Sequence, residues 1–287
     1  MKIRVGCDLT YEFAAPTPVV LMLNVHPSRA ADLLMPDLVR VAPLRPLTIY
    51  SDMFGNTCCR LVAPAGDLRI MTDTLVLDSG LPDDVAPGAP QHAVGDLPHD
   101  ALMFLMGSRY CEVDKLNDIA WSLFGSTPEG WARVQAIVDF VHAHIKFDYM
   151  QARVTKSAFD VFHERTGVCR DYAHLAVAFC RCMNIPARYA TGYLGDIGVP
   201  FDPAPMDYSA WFEVYLGGRW YTFDARHNTP RIGRIVIARG RDAADVAITT
   251  SFGWHRLKNF TVWTDEVIEE TVVPTAPELA ALEPMVA

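Results

Sequence analysis

A single thiol, Cys169, opens the run CRDYAHLAVAFCRCMNIP, which is mostly apolar from Ala173 onward. Two readings compete for it. Cysteine is a small hydrophobe that cores accept readily. A thiol at a helix N-terminus is also easier to ionise, and the thiolate is the nucleophilic form. A nucleophilic thiol needs a base, and the base needs a group that orients it. The stretch YSAWFEVYLGGRWYTFDARHN, residues 208–228, is where such a pair would come from.

Gly217-Gly218 is a two-residue turn signal, and a turn of that length fixes the register of the strands it joins. Counting outwards, Leu216 faces Arg219, Tyr215 faces Trp220, Trp211 faces Asp224 and Ser209 faces Arg226. Residues directly opposite share a face, as do residues two apart. Ser209, Trp211, Glu213, Thr222 and Asp224 therefore project to one side. Ser209 and Asp224 become diagonal neighbours, roughly 7–8 Å apart at the backbone. An imidazole at 209 would reach a carboxylate at 224, the geometry of a base and its orienter. The residue at 209 is instead a serine, whose short hydroxyl takes no proton near neutral pH.

Substitute bases are few. His227 lies three residues past Asp224 and faces Tyr208, on the opposite side of the predicted sheet. Only a bulge or a strand end before it turns it towards Cys169. His174 sits about 140° round the helix from Cys169 and points away. His163 precedes the helix, and its place is open. A water held by Ser209 and acting through Asp224 is an equal alternative, and a site without catalysis is a third. Asp171, in the helix's first turn, reads as a partner of the macrodipole. Trp211 suits the wall of a substrate groove, although hairpin tryptophans usually just pack. Arg188 and Arg226 suit a substrate carboxylate or, more commonly, an ion pair. His26 reads as a surface residue, His142 and His144 as dipole or packing residues, and Cys180 and Cys182 as core.

These residues need a scaffold. The first hundred positions read as β-rich: KIRVGCDLTYEF and PVVLMLNVHP are strand-like, LTIYSDMFGNTCCRLVAP breaks at Gly55-Asn56 as a hairpin, and LRIMTDTLVLDSG follows. Short strands separated by turn signals suggest a sandwich. The Pro-, Gly- and Asp-rich stretch between Leu81 and His99 marks a loop or linker. Beyond it, DKLNDIAWSLFG and TPEGWARVQAIVDFVHAHIKF carry helical periodicity, with Thr127 as N-cap and Pro128 at the first helical position. The helix from Cys169 is apolar almost all round and so should be central, ended by Asn184 and Pro186. Strands follow in ARYATGYL, YSAWFEVYL, RWYTFDARH, RIVIARG, AITTSFG and FTVWTDEV. APELAALE in the last residues suggests a short helix in a loose tail.

Composition narrows the class. The chain has 287 residues, 51% hydrophobic and 21% charged, enough for about two domains with ample core. A net charge of −9 without a basic run argues against a phosphate-backbone partner, so no nucleic acid is expected. The longest apolar run near the N-terminus, VVLMLNV, is too short to span a bilayer, and no membrane role is expected. Seven scattered cysteines without a C-x-x-C pair fit reduced thiols and no zinc site. With no signal-peptide pattern at the start, cytoplasmic is the expectation.

The two motifs RTGVCRDYAHLAVAFCRCMNIPARYATGYL and YSAWFEVYLGGRWYTFDARHN resemble the transglutaminase-like superfamily, whose members include transglutaminases and papain-like cysteine proteases. The resemblance runs from about Trp131 to Gly253. The β-rich first part is similar to the N-terminal domain often joined to bacterial members. What the resemblance implies is a Cys–His–Asp triad, with Cys169 at the nucleophile position and Asp224 at the aspartate position. The triad histidine precedes A-W-x-E, and here that position is Ser209. His227 is then the substitute base, and Trp211 a substrate-binding candidate.

The expected fold is α+β: an N-terminal β-sandwich-like domain over residues 1–95, a papain/transglutaminase-like domain over 100–273 with a central helix packed on an antiparallel sheet, and a tail from 274 to 287. The expected function is thiol acyl transfer or amide hydrolysis on a protein or peptide, with no cofactor and no metal. The alternative is a catalytically inactive binding module on the same scaffold. Oligomeric state and acyl acceptor are not legible.

Overall fold

The computed structural model describes residues 1–268, so the tail from 274 and the short helix expected in it lie outside the described residues. Alternation builds the first layers. In β1 (Lys2–Phe13), Ile3, Val5, Cys7, Leu9, Tyr11 and Phe13 are buried at every second position, the period of a strand with one covered face. The hairpin partners β5 (Thr57–Ala63) and β6 (Gly66–Leu77) carry the same pattern. With β2 (Thr17–Leu21), β3 (Arg40–Ala42) and β4 (Thr48–Ser51), they form two sheets that share one core. The sandwich is therefore present.

Its outer strands come from the other end of the chain. Late in the chain, β13 (Thr249–Ser251) returns to pair with β2, and β14 (His255–Glu266) runs antiparallel along β1. The orders are β14-β1-β6-β3 and β13-β2-β5-β4. Residues 249–266, grouped by the sequence reading with 100–273, thus sit in the sheets of the first part. Long-range pairing decides this, and local pattern does not report it. Gly6 is required at the crossing: a Cβ there would lie 2.4 Å from the Trp263 ring of β14.

The second unit is helical on one side and a sheet on the other. The helices are α1 (His99–Leu102), α2 (Val113–Phe124), α3 (Trp131–His144), α4 (Ala158–Glu164) and α5 (Cys169–Cys182). Between them β7 (Lys146–Phe147) pairs in parallel with β8 (Thr166–Gly167). The sheet runs β11 (Arg219–Phe223), β10 (Ser209–Leu216), β9 (Ala187–Tyr193), β12 (Ile235–Gly240), antiparallel throughout. Leu175, Ala176 and Phe179 of α5 share a core with Phe212, Val214 and Leu216 of β10 and with Val134 and Val138 of α3. The helix is central, as its all-round apolar sequence predicts. Fully burying each such side chain contributes about 1.5–3 kcal/mol.

The linker is strapped down rather than loose. Ala89 O accepts from Trp131 N–H, Pro90 O accepts from Gly217 N–H, and Gln91 Nε2 donates to Met183 O. This corrects the helix start: α3 begins at Trp131 after Gly130 (φ 83°), and Thr127 donates Oγ1 to Phe124 O at the end of α2 instead of capping α3. The pull of Ala89 on Trp131 outcompetes the local Thr-Pro-Glu signal. His26 is also corrected: it is buried, its Nδ1 beside Ser28 Oγ (2.9 Å) and Arg239 Nη1 (3.0 Å).

Candidate active site

The start of α5 is built by three residues. Val168 is extended, and the buried Asp171 carboxylate accepts its N–H at 2.9 Å, closing the first turn. Gly167 leaves room for this: a Cβ there would lie 2.7 Å from Asp171 Oδ2. Asp171 thus has the structural role expected of it. Lys156, fully buried, donates to Thr166 O at 2.9 Å and pairs with Glu164 at 3.1 Å, fixing the preceding strand. Cys169 follows as the first helical residue. It is half-buried, whereas the other six cysteines are buried, Cys180 and Cys182 among them.

The electrostatics of Cys169 differ from the expectation that the helix end alone would ease its ionisation. Burial pushes its thiol up to about 11. The Arg226 guanidinium opposes that rise, the Asp207 carboxyl adds to it, and the backbone N–H groups of Ala210 and Arg170 draw it down. The resting thiol is therefore protonated at neutral pH.

The hairpin keeps its predicted register from Leu216 opposite Arg219 to Phe212 opposite Phe223, and then stops. Asp224 accordingly lies past the end of β11, not opposite Trp211. A tight turn begins there. Asp224 Oδ1 accepts the N–H groups of Arg226 (2.9 Å) and His227 (3.0 Å), and Asp224 O accepts from Asn228 N–H (2.8 Å). α3 holds this turn through Gln135 and Asp139, both bonded to Asn228. The strand does end before His227, and its ring turns back on Asp224: His227 Nδ1 lies 2.8 Å from Asp224 Oδ2, while Cys169 is not among the residues that line the cleft with His227.

Asp224 is buried, and burial alone would raise its carboxyl. Arg234, which donates Nη2 to Oδ2 at 2.8 Å, and His227 instead hold it well below the usual carboxylate range. An ionised carboxylate only accepts, so Nδ1 of His227 carries the hydrogen in this contact and Nε2 is the nitrogen that points away from Asp224. Ser209 and His227 line one cleft of about 100 Å³ with Tyr149, Asp207, Arg226 and Arg231. Arg226 and Asp207 are also the charged groups that act on Cys169. The Arg226 guanidinium lies 4.0 Å over the Phe147 ring.

The remaining candidates fall elsewhere. Trp211 is buried against Ala190 and Val236, with Arg234 5.1 Å from its ring, and does not line the cleft. His174 accepts Ala243 N–H at 3.1 Å and stacks on Tyr110. His163 bonds Phe159 O at 2.9 Å, His142 bonds Ala225 O at 3.2 Å, and His144 stacks between Phe140 and Phe162. Arg188 pairs with Glu213 at 2.6 Å. Sequence reasoning missed Tyr149, Asp207 and Arg234. Only Asp207 left a trace, two residues before Ser209. Among the described residues no cluster of three or more His, Cys, Asp or Glu side chains is arranged to hold a metal ion, and no helix is long and apolar enough to cross a membrane.

The fold is α+β: a thiol opens a central helix packed on an antiparallel sheet, and a buried carboxylate sits in the turn just past that sheet's hairpin. Residues 119–225 match the Transglutaminase-like superfamily core. The crystal structure of a candidate cysteine protease from Cytophaga hutchinsonii superposes with a TM-score of 0.78 and 33% identity, covering 92% of this chain and 90% of that one. The chain belongs to the transglutaminase-like superfamily. Uncharacterised proteins of Mycobacterium leprae (33% identical over 113 residues) and Mycobacterium tuberculosis (37% over 101 residues) are also similar. Those matches span 39% and 31% of the relatives' lengths, and 37% and 30% of this chain.

Proposed function

We propose that this chain carries out thiol acyl chemistry on a protein or peptide amide, with Cys169 as nucleophile and His227 as the base that stands in for the histidine absent at 209. The observation that carries this reading is the 2.8 Å contact between His227 Nδ1 and Asp224 Oδ2, in a residue that lines the same cleft as Ser209. In the proposed step, His227 Nε2 takes the thiol proton as Cys169 Sγ bonds to the amide carbonyl carbon. The first N–H groups of α5, which lack intrahelical partners, stabilise the oxyanion. The C–N bond then breaks, the imidazolium returns its proton to the leaving amine, and a thioester remains. Water or an amine attacks that thioester in the second half. The seven unpaired thiols favour a reducing, cytoplasmic setting.

The elevated Cys169 thiol favours a second reading, a binding module that has lost its chemistry. Alkylation of Cys169 by iodoacetamide against pH separates the two. For the enzyme, alkylation already rises in a first step well below the thiol's own pH range, and His227→Asn removes that step. A single rise near pH 11, unchanged by His227→Asn, assigns the chain to the binding module. With a turned-over substrate, His227→Asn is expected to lower kcat by about 10²–10⁴-fold.

A further inference from the structure

On the face of the β10–β11 hairpin away from α5 lies a second cavity, of about 220 Å³. Four guanidinium groups line it, those of Arg29, Arg231, Arg234 and Arg239, against three carboxylates, those of Asp78, Asp83 and Glu213. Three of the four cations are matched. Arg29 pairs with Asp78 at 3.2 Å, Arg234 with Asp83 at 2.8 Å, and Arg239 with Glu213 at 2.9 Å.

Arg231 is the exception. It is 7% exposed, donates Nη2 to Gly195 O at 2.9 Å, and makes no ion pair among the described residues. Its Nε is buried without a partner, and so is Nη1 of Arg234, whose side chain is 6% exposed. Each buried N–H left unbonded is costly. Burial and the nearby Arg234 charge lower the Arg231 guanidinium's affinity for its proton, and the Asp224 and Asp196 carboxylates offset this only in part. Arg231 also lines the cleft that holds Ser209 and His227.

We propose that Arg231, together with Arg234, forms a binding site for a small oxyanion. The planar fork of a guanidinium matches phosphate, sulfate or carboxylate oxygens in pairs. The source is either a free inorganic oxyanion or the carboxylate of a molecule lying in the cleft. The site rests on charge and burial alone and stands whether or not Cys169 is a nucleophile.

The test follows thermal unfolding of the full chain at constant ionic strength, with chloride replaced stepwise by inorganic phosphate or, separately, by acetate. At saturation the ligand raises Tm by about 2–4 °C over chloride. Arg231→Gln abolishes the rise, and Arg231→Lys retains part of it. A rise with phosphate identifies an inorganic oxyanion, and a rise with acetate alone identifies a carboxylate. If Arg231→Gln does not fold, the wild-type chain still decides: the phosphate ³¹P line, or the acetate methyl line, broadens on adding protein and sharpens again when excess unlabelled sulfate or formate competes. No rise and no broadening with either anion overturns the site, as does a rise that persists in folded Arg231→Gln.

Discussion

Serine at 209 changes what a restored histidine can do. Asp224 gives both oxygens away, to the N–H groups of Arg226 and His227, to His227 Nδ1 and to Arg234. An imidazole introduced at 209 finds that carboxylate already engaged. The expectation from the hairpin register is that Ser209→His raises acyl-transfer activity. With the turn in view, the gain belongs mainly to the background in which the competing ring is gone. In a double-mutant cycle, Ser209→His should raise the pH 7 alkylation rate of Cys169 by more in His227→Asn than in the wild-type chain. Equal effects in the two backgrounds would show that the two positions do not share Asp224. Sequence carried the helix start at Cys169 and the inner hairpin pairs, because a helix start and a Gly-Gly turn are local signals, but it ran the hairpin on to Asp224, which lies past the end of β11. It did not carry Arg234 or Asp83, which reach the site only through tertiary contacts. It also placed Trp211 on the substrate side, whereas that side chain packs against β9 and β12 at Ala190 and Val236.

At the scale of elements, the placement of the thiol depends on how α5 begins. Asp171 closes the first turn from a fully buried position. Asp171→Ala removes that acceptor and leaves the Val168 N–H buried, so urea unfolding should report a loss of about 0.5–2 kcal/mol. Cys169 should become more exposed and faster to alkylate at high pH. A second element-scale test concerns the β1–β14 crossing. Gly6→Ala drives a methyl into the Trp263 ring and Thr72 O, and overpacking of this kind costs about 1–3 kcal/mol. A fall in Tm checks it. Both glycines, Gly6 and Gly167, stand in plain view in the sequence. Their reason does not, since it is the side chain of a distant residue at Gly6 and a near one at Gly167.

Across the whole molecule, buried ion pairs tie the two units together. Glu213 of β10 holds Arg188 and Arg239, and Arg239 reaches His26 and Ser28 of the first unit. Asp83 of the linker holds Arg234, which holds Asp224. Burial would raise the Glu213 and Asp224 carboxyls, but their arginine partners, and for Asp224 also His227, bring both below the ordinary range. A carboxyl depressed in the folded state stabilises it fully above the unfolded pKa, near pH 4, and loses that contribution as pH falls through the folded value. Stability should therefore drop steeply below about pH 4. Glu213→Gln should flatten the drop while lowering stability at pH 7, as read by urea midpoints at pH 3, 5 and 7. A profile with the same slope in both chains would mean that other carboxylates govern acid unfolding.

Because β14 lies along β1, an early strand of the sandwich waits for a late one. As the polypeptide leaves the ribosome, β1 and β6 can zip together early, but one side of β1 keeps its hydrogen-bonding groups bare until Glu266 has emerged. Such an uncovered border is a template for association with other nascent chains. The demand for protection is thus built into the order of synthesis. A fragment ending at residue 95 would keep that border for good, lacking both β14 and β13, and should aggregate where the full chain does not.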